Sequence, residues 1–201
     1  MTIDEVRALL GGEPSTTARG KEIALFDDHC RAFVSRSSFF VLATSAADGR
    51  GDASPKGGPP GFVQILDDRR LAYGELPGNK RLDSFENVLE QPNVGLLFLV
   101  PGVEETLRVN GTMTLSTEDA LLDRLALNGK RPVLAVVVEL QTAYLHCAKA
   151  FKRSQLWQPE RWPSLEGLPS AARIWRDHVA DDRTTAEVQA HLDEVYETQL
   201  W

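Results

Sequence analysis

Apolar positions change their period along this chain, and the changes mark its elements. Phe39-Phe40-Val41-Leu42-Ala43-Thr44 is a dense aromatic and β-branched run, and Asp48-Gly49 after it signals a hairpin. Asp52 to Lys56 continues as a short extended segment. Gly57 to Gly61, with Pro59 and Pro60, predicts a loop. Phe62 to Leu66 and Leu71 to Tyr73 read as strands joined by Asp67-Asp68-Arg69. The period then becomes helical through Leu82, Phe85, Val88 and Leu89, and Pro92 closes that helix. Val94 to Val100 is apolar almost without break, which predicts a strand buried on both faces. Thr106 to Leu115 alternates, with Thr106, Arg108, Asn110, Thr112 and Thr114 on one face and Leu107, Val109, Met113 and Leu115 on the other. Val133 to Leu140 is a second unbroken apolar strand, extending towards His146.

Helices are predicted around these strands. Asp27 to Ser35 presents Phe26, Cys30, Phe33 and Val34 as an inner face. Thr117 is placed to cap another helix, with Glu118 and Asp119 in its first turn. Beyond Lys152 the pattern changes. Prolines and tryptophans punctuate a loop, and two helices follow from Ser170 and from about Thr185. About six strands joined mostly by turns predict a mainly β, α+β chain: an antiparallel sheet closed into a barrel with helices outside. The barrel spans about 37–150, within a single domain of 1–201. Residues 151–201 read as a helical C-terminal extension packed on the barrel, too short to hold a core of its own. Regular strand–helix alternation, a GxGxxG motif and a P-loop lysine motif are all missing.

Composition narrows the partners. The 201 residues are 42% hydrophobic and 25% charged, with a formal net charge of −7. Sequence-independent nucleic-acid binding needs a basic footprint, and anionic membrane surfaces also attract basic segments, so neither partner is expected. No apolar run reaches the length of a membrane span. The two cysteines, Cys30 and Cys147, give no disulfide framework, and a reducing, cytoplasmic location is expected. The histidines show no metal-ligand spacing, and no metal is expected.

Against this acidic background, four separated segments offer cations. Gly78-Asn79-Lys80-Arg81 sits between a strand and a helix, so two positive charges lie where the helix macrodipole is already positive. Either an anion such as phosphate binds there, or the turn is solvated and balanced by Glu75, Asp83 and Glu86. Ser54 and Lys56 stand at the entry to the Gly/Pro loop. Arg108 lies on the polar face of its strand, where an anion or Glu104, Glu105 or Glu139 can match it. Lys149, Lys152 and Arg153 follow the last strand beside Phe151 and Trp157. They form either part of a ligand site or a solvated helix start, and Trp157 packs in both cases.

In this order the segments resemble the pyridoxamine 5′-phosphate oxidase-like family of flavin-binding split β-barrels. The likeness runs from Phe39 to about Trp157. Its most specific part is Gly78 to Phe98, GNKRLDSFENVLEQPNVGLLF. ETLRVNG, Glu105 to Gly111, is similar to the next family strand. HCAKAFKRSQLW, His146 to Trp157, and the C-terminal helices resemble an uncharacterised bacterial subgroup of flavin-dependent enzymes. The resemblance implies a homodimer with FMN at its interface. Lys80 and Arg81 would hold the FMN phosphate, helped by Asn79 and by Lys56 or Ser54. Thr106 and Arg108 would lie on the adjoining strand. Lys149, Arg153 and Trp157 belong to the segment that would complete the site of the other protomer.

The chain departs from true pyridoxamine phosphate oxidases in lacking a closing Arg-x-His strand and a terminal Arg-Leu-x-Pro; it ends Glu197-Thr198-Gln199-Leu200-Trp201. Oxidation of vitamin B6 therefore does not follow from the likeness. The expected activity is that of an FMN-dependent oxidoreductase passing hydride to or from a small molecule, with no catalytic acid or base identified. The alternatives are a non-catalytic flavin carrier or redox sensor, and a split barrel that uses deazaflavin or haem. Haem would need His146 as its axial ligand.

Overall fold

The computed structural model describes residues 1–76, 78 and 80–198. Three helices lead in: α1 (Ile3–Leu10), α2 (Thr16–Gly20) and α3 (Asp28–Val34). The strands follow as β1 (Phe39–Ser45), β2 (Gly51–Gly57), β3 (Val63–Ile65) and β4 (Arg70–Glu75). Then come α4 (Asp83–Glu90), β5 (Asn93–Leu99), β6 (Thr106–Ser116), α5 (Asp119–Arg124), β7 (Leu134–His146) and α6 (Lys149–Ser154). Met1–Trp157 forms one compact unit and Gln158–Trp201 another. In the second unit, α7 (Ala171–Val179) and α8 (Thr185–Thr198) bury Ala172, Val188 and Leu192 between them.

All seven strands join one antiparallel sheet in the order β2-β1-β5-β6-β7-β4-β3. In a flat sheet β1 and β4 would stand roughly 19 Å apart, four strand spacings of ~4.8 Å. Here the Phe40 ring of β1 meets the Tyr73 ring of β4 at 5.2 Å between centroids. Phe40 also stacks on Phe62 at 5.8 Å and meets the tilted ring of Phe98 at 5.0 Å. The sheet is therefore curled into a split barrel around an aromatic centre, and Phe40, Leu42, Leu71, Phe98, Val109, Val136 and Val138 are wholly buried inside it. Pro55 lies on β2, an edge strand, where its missing N–H costs no ladder bond.

The curl needs one irregularity. Asn110 pairs with Thr142 but Gly111 pairs with Leu140, so Gln141 is an extra residue on β7. Leu140 and Ala143 are three residues apart and would point to opposite faces in a regular strand. The bulge lets both turn inward, and both are buried. Glycine is required opposite it, since a Cβ on Gly111 would overlap the Glu139 carbonyl.

The two long apolar runs meet different fates. β7 is covered on both faces, because α5 packs Leu122 and Leu125 against Ala72 and Ala135, with Val137 alongside. β5 buries Val94, Leu96 and Phe98 inward, but Gly95, Leu97 and Leu99 on its outer face remain half-exposed. Helix α3 begins one residue later than the sequence suggests because Asp27 is its N-cap, accepting a hydrogen bond from Cys30 N–H at 2.8 Å. Helix α5 starts after Glu118 with no side-chain cap, so Thr117 does not cap it as expected.

Tyr73 carries the one polar atom of this aromatic centre. Its hydroxyl is buried with no partner among the described residues, and burial, then the Glu75 charge, push the phenol well above its ordinary pKa. Tyr73→Phe removes an unsatisfied group and leaves the packing intact. It should leave stability unchanged or raise it by about 1 kcal/mol in urea denaturation. A loss of that size would show that the hydroxyl has a partner.

Candidate functional site

Alternation along β2 aims Asp52, Ser54 and Lys56 to one side, and β2 reaches β4 only because the sheet curls. There the Lys56 ammonium meets both oxygens of Glu75, at 2.8 and 2.9 Å. The two side chains are 17% and 24% exposed, so the pair is largely withdrawn from water. Lys56 Nζ also lies 5.6 Å from the centre of the Phe85 ring. Lys56 is thus neither a free surface cation nor an unmatched one.

Above this pair the chain turns into α4. Leu82, the residue that precedes the helix, has φ 60° and gives no side-chain cap, and Lys80 also has φ 60°. Two non-glycine residues in the left-handed region mark a backbone held by its surroundings. Arg81 Nε donates to Asp83 Oδ2 at 2.5 Å, which raises the arginine pKa still further. Helix α4 is tied down through polar contacts. Ser84 Oγ donates to Asp52 Oδ2 at 2.9 Å, Thr44 Oγ1 lies 3.4 Å from the same oxygen, and Asn87 Nδ2 donates to Thr44 Oγ1 at 2.9 Å.

These elements enclose a cleft of about 610 Å³. Ser54, Lys56, Lys80 and Arg81 all line it, together with Asp52, Glu75, Asp83 and Ser84. Leu76, Phe85, Leu115, Val133 and Leu134 supply its apolar wall. Its volume lies within the usual range for a small-molecule or cofactor site. Lysine, arginine and hydroxyl donors in one cleft with an apolar wall suit a phosphate joined to a flat ring. Asp52, Ser84 and Phe85 were absent from the sequence-based site. The alternation of Asp52-Ala53-Ser54-Pro55-Lys56 carries the signal for Asp52, whereas Ser84 and Phe85 enter only through the curl.

The other candidates gather elsewhere. Asn79 lies outside the described residues. Thr106 is buried at the start of β6, opposite His146. Arg108 stands opposite Tyr144 and donates from Nη1 to its hydroxyl at 2.8 Å. No described carboxylate forms a salt bridge with Arg108: Glu139 pairs with Thr112, beyond the bulge, and Glu104 binds Lys152 at 2.6 Å. Lys149 and Arg153 are exposed on α6. Trp157 stacks on Phe151 at 5.5 Å and donates from its indole to Val103 O at 2.8 Å. None of Thr106, Arg108, Lys149, Arg153 and Trp157 lines the cleft.

Neither cysteine is placed as a nucleophile of the cleft. Cys30 is buried in the core, where desolvation pushes its thiol up to about 11, and Cys147 is exposed after β7. Among the described residues no three His, Cys, Asp or Glu side chains group to hold a metal. No described helix is long and apolar enough to cross a membrane.

The Lys56–Glu75 pair makes the cleft's floor testable. A double-mutant cycle of Lys56→Ala and Glu75→Ala, followed by urea denaturation, should give a coupling of about 1–2 kcal/mol, because either single change strands a half-buried charge. A coupling near zero would mean that the ring contacts alone hold β2 near β4.

Comparison with known proteins completes the description. The family model for pyridoxamine 5′-phosphate oxidase matches residues 26–147. No curated protein matches the chain. Among solved structures, HupZ of Group A Streptococcus aligns at 17% identity over 60% of this chain and 93% of its own, with a TM-score of 0.48. An FMN-binding protein of Syntrophomonas wolfei aligns at 13% identity over 58% of this chain and 83% of its own, with a TM-score of 0.45. A protein related to general stress protein 26, of the pyridoxinephosphate oxidase family, from Clostridium acetobutylicum aligns at 12% identity over 59% and 85%, with a TM-score of 0.44. The family match takes in β1 to β7 and the strands, turn and helix that build the cleft, and the chain belongs to the pyridoxamine 5′-phosphate oxidase family.

Proposed function

We propose that this protein is an FMN-dependent oxidoreductase acting on a small molecule, with the FMN phosphate seated at the Lys80–Arg81 turn. The observation that carries the reading is the convergence of Ser54, Lys56, Lys80 and Arg81 on one cleft with an apolar wall. These residues come from two separate segments and meet only through the folded sheet. Flavin supplies two-electron hydride chemistry when bound. Lys80 and Arg81, which both line the cleft, would bind the phosphate dianion. The uncapped start of α4 adds N–H groups to the same end. Ser54 offers a hydroxyl, Ser84 gives its own to Asp52, and Glu75 holds Lys56 in place. Leu76, Phe85, Leu115, Val133 and Leu134 exclude water from the ring end. Three carboxylates, Asp52, Glu75 and Asp83, balance Lys56, Lys80 and Arg81 in formal charge, so an anion would be held by individual donors and not by a net positive charge of the cleft.

A homodimer belongs to the proposal. On the outer sheet face, Ala53 and Pro55 of β2, Phe39, Val41 and Ala43 of β1, and Leu97 and Leu99 of β5 form a continuous apolar surface, all half-exposed or exposed. The helices that pack on the sheet do so elsewhere: α3 on β3, α5 on β7, and α4 through the inward Thr44 and Asp52. An uncovered apolar sheet face of this kind suits a second copy of the chain. It continues across Leu97 to Arg108 in the neighbouring strand. Thr106, Lys149, Arg153 and Trp157 would then serve the flavin of the other protomer, which would account for their lying away from the cleft of their own.

The double change Lys80→Ala and Arg81→Ala should weaken FMN binding by about 3 kcal/mol or more, roughly a hundredfold, with the circular dichroism spectrum unchanged. Both side chains are exposed, so the fold does not depend on them. Wild-type affinity in this variant would reject the phosphate seat. Turnover of NADH or NADPH with an artificial acceptor separates an enzyme from a carrier that binds FMN without reaction.

A further inference from the structure

A second set of cations lies outside the cleft, along the last part of β7. Residues 21–23 run beside that strand: Ile23 N–H donates to Ala143 O at 2.9 Å and Ala143 N–H donates to Ile23 O at 2.8 Å. This contact fixes Lys21, whose ammonium donates to Leu145 O at 2.9 Å and lies 5.1 Å from the centre of the Tyr144 ring. From the other flank of β7, β6 places Arg108 opposite Tyr144. The Arg108 guanidinium carbon is 5.4 Å from the same ring centre. Two residues further on, and so on the same face, the His146 ring sits 4.9 Å from Tyr144. Its Nε2 is buried without a partner among the described residues.

The arrangement is electrostatically incomplete. Lys21 and Arg108 hold one phenol from both sides, and neither forms a salt bridge with a described carboxylate; nearby Glu104 is engaged by Lys152. Tyr144 offers each cation a ring face, and Arg108 a hydroxyl acceptor, but no negative charge. Lysine has three donors and arginine five, and each has one hydrogen bond described here. Burial first, then Arg108, then Lys21, lower the His146 pKa, so the imidazole stays neutral at pH 7 beside two positive groups. A carboxylate or phosphate would match the arginine fork, balance both charges and give the donors acceptors.

We infer that Lys21, Arg108, Tyr144 and His146 form a binding site for the oxyanion group, carboxylate or phosphate, of a small molecule. The site is built from one chain and is separate from the cleft of β2, β4 and α4. It stands whether or not that cleft holds FMN. If both hold, the oxyanion is the acidic group of the substrate rather than the phosphate of the cofactor.

The test is proton NMR of the His146 ring in the protein as purified, titrated with benzoate in one arm and inorganic phosphate in the other. At least one probe should shift the His146 signal saturably and move its titration midpoint upward, since a bound anion offsets Arg108 and Lys21. Tighter benzoate binding assigns a carboxylate, and tighter phosphate binding a phosphate. Lys21→Gln should weaken binding severalfold, and Lys21→Gln with Arg108→Gln at least tenfold. Lys80→Ala with Arg81→Ala should leave it unchanged. The single Lys21 change is on an exposed side chain and keeps the test valid if the Arg108 variant does not fold. No saturable shift with either probe, unchanged affinity in Lys21→Gln, or loss of binding in the Lys80/Arg81 variant would overturn the inference.

Discussion

The curl of one antiparallel sheet is the constraint on which everything else rests. It is visible in the contact of Phe40 with Tyr73 across what would otherwise be four strand spacings. Hydrophobic burial drives it, because a flat sheet of this sequence would leave Phe40, Phe62, Tyr73 and Phe98 on an open face. The bulge at Gln141 and the absent side chain at Gly111 allow it sterically. Its functional consequence is that β2 and β4 approach each other. The Lys56–Glu75 pair and the cleft above it exist only because of that approach.

The cleft combines features that conflict in isolation. Lys80 and Arg81 stand before a helix start, where positive charge is unfavourable. Lys80 and Leu82 adopt left-handed backbone, which costs side-chain-bearing residues about 1 kcal/mol or more each. The helix lacks a side-chain cap. An anion bound at this turn would answer the charge and the uncapped N–H groups together. The family match includes this turn, and it leaves the ligand of the turn open.

Much of the fold was legible in the sequence, because strands and helices follow local periodicity. Phe39 to Thr44, Leu71 to Tyr73, Val94 to Val100 and the helix after Leu82 all lie where their patterns put them. Asp52 to Lys56, read only as an extended segment, is a full edge strand. Register was not legible. Arg108 meets Tyr144 rather than a glutamate because the pairing of β6 with β7 depends on a bulge that no local pattern reveals. Lys21 was unremarked because its neighbour in space, Tyr144, is far away in sequence. The two unbroken apolar runs look alike as sequence, yet α5 covers the outer face of β7 while the outer face of β5 stays half-exposed. Of the anticipated site, the half carried by β2 and the turn before α4 converges. In the other half, Arg108 meets Tyr144, Trp157 meets Val103, and none of its residues lines the cleft.

The central claim is that the cleft between β2, β4 and α4 holds FMN. The most direct measurement is the absorption spectrum of the protein as purified, with chromatography of the chromophore it releases on denaturation. The account predicts a yellow protein that releases FMN, close to one per chain. A colourless protein that also fails to bind added FMN would contradict it.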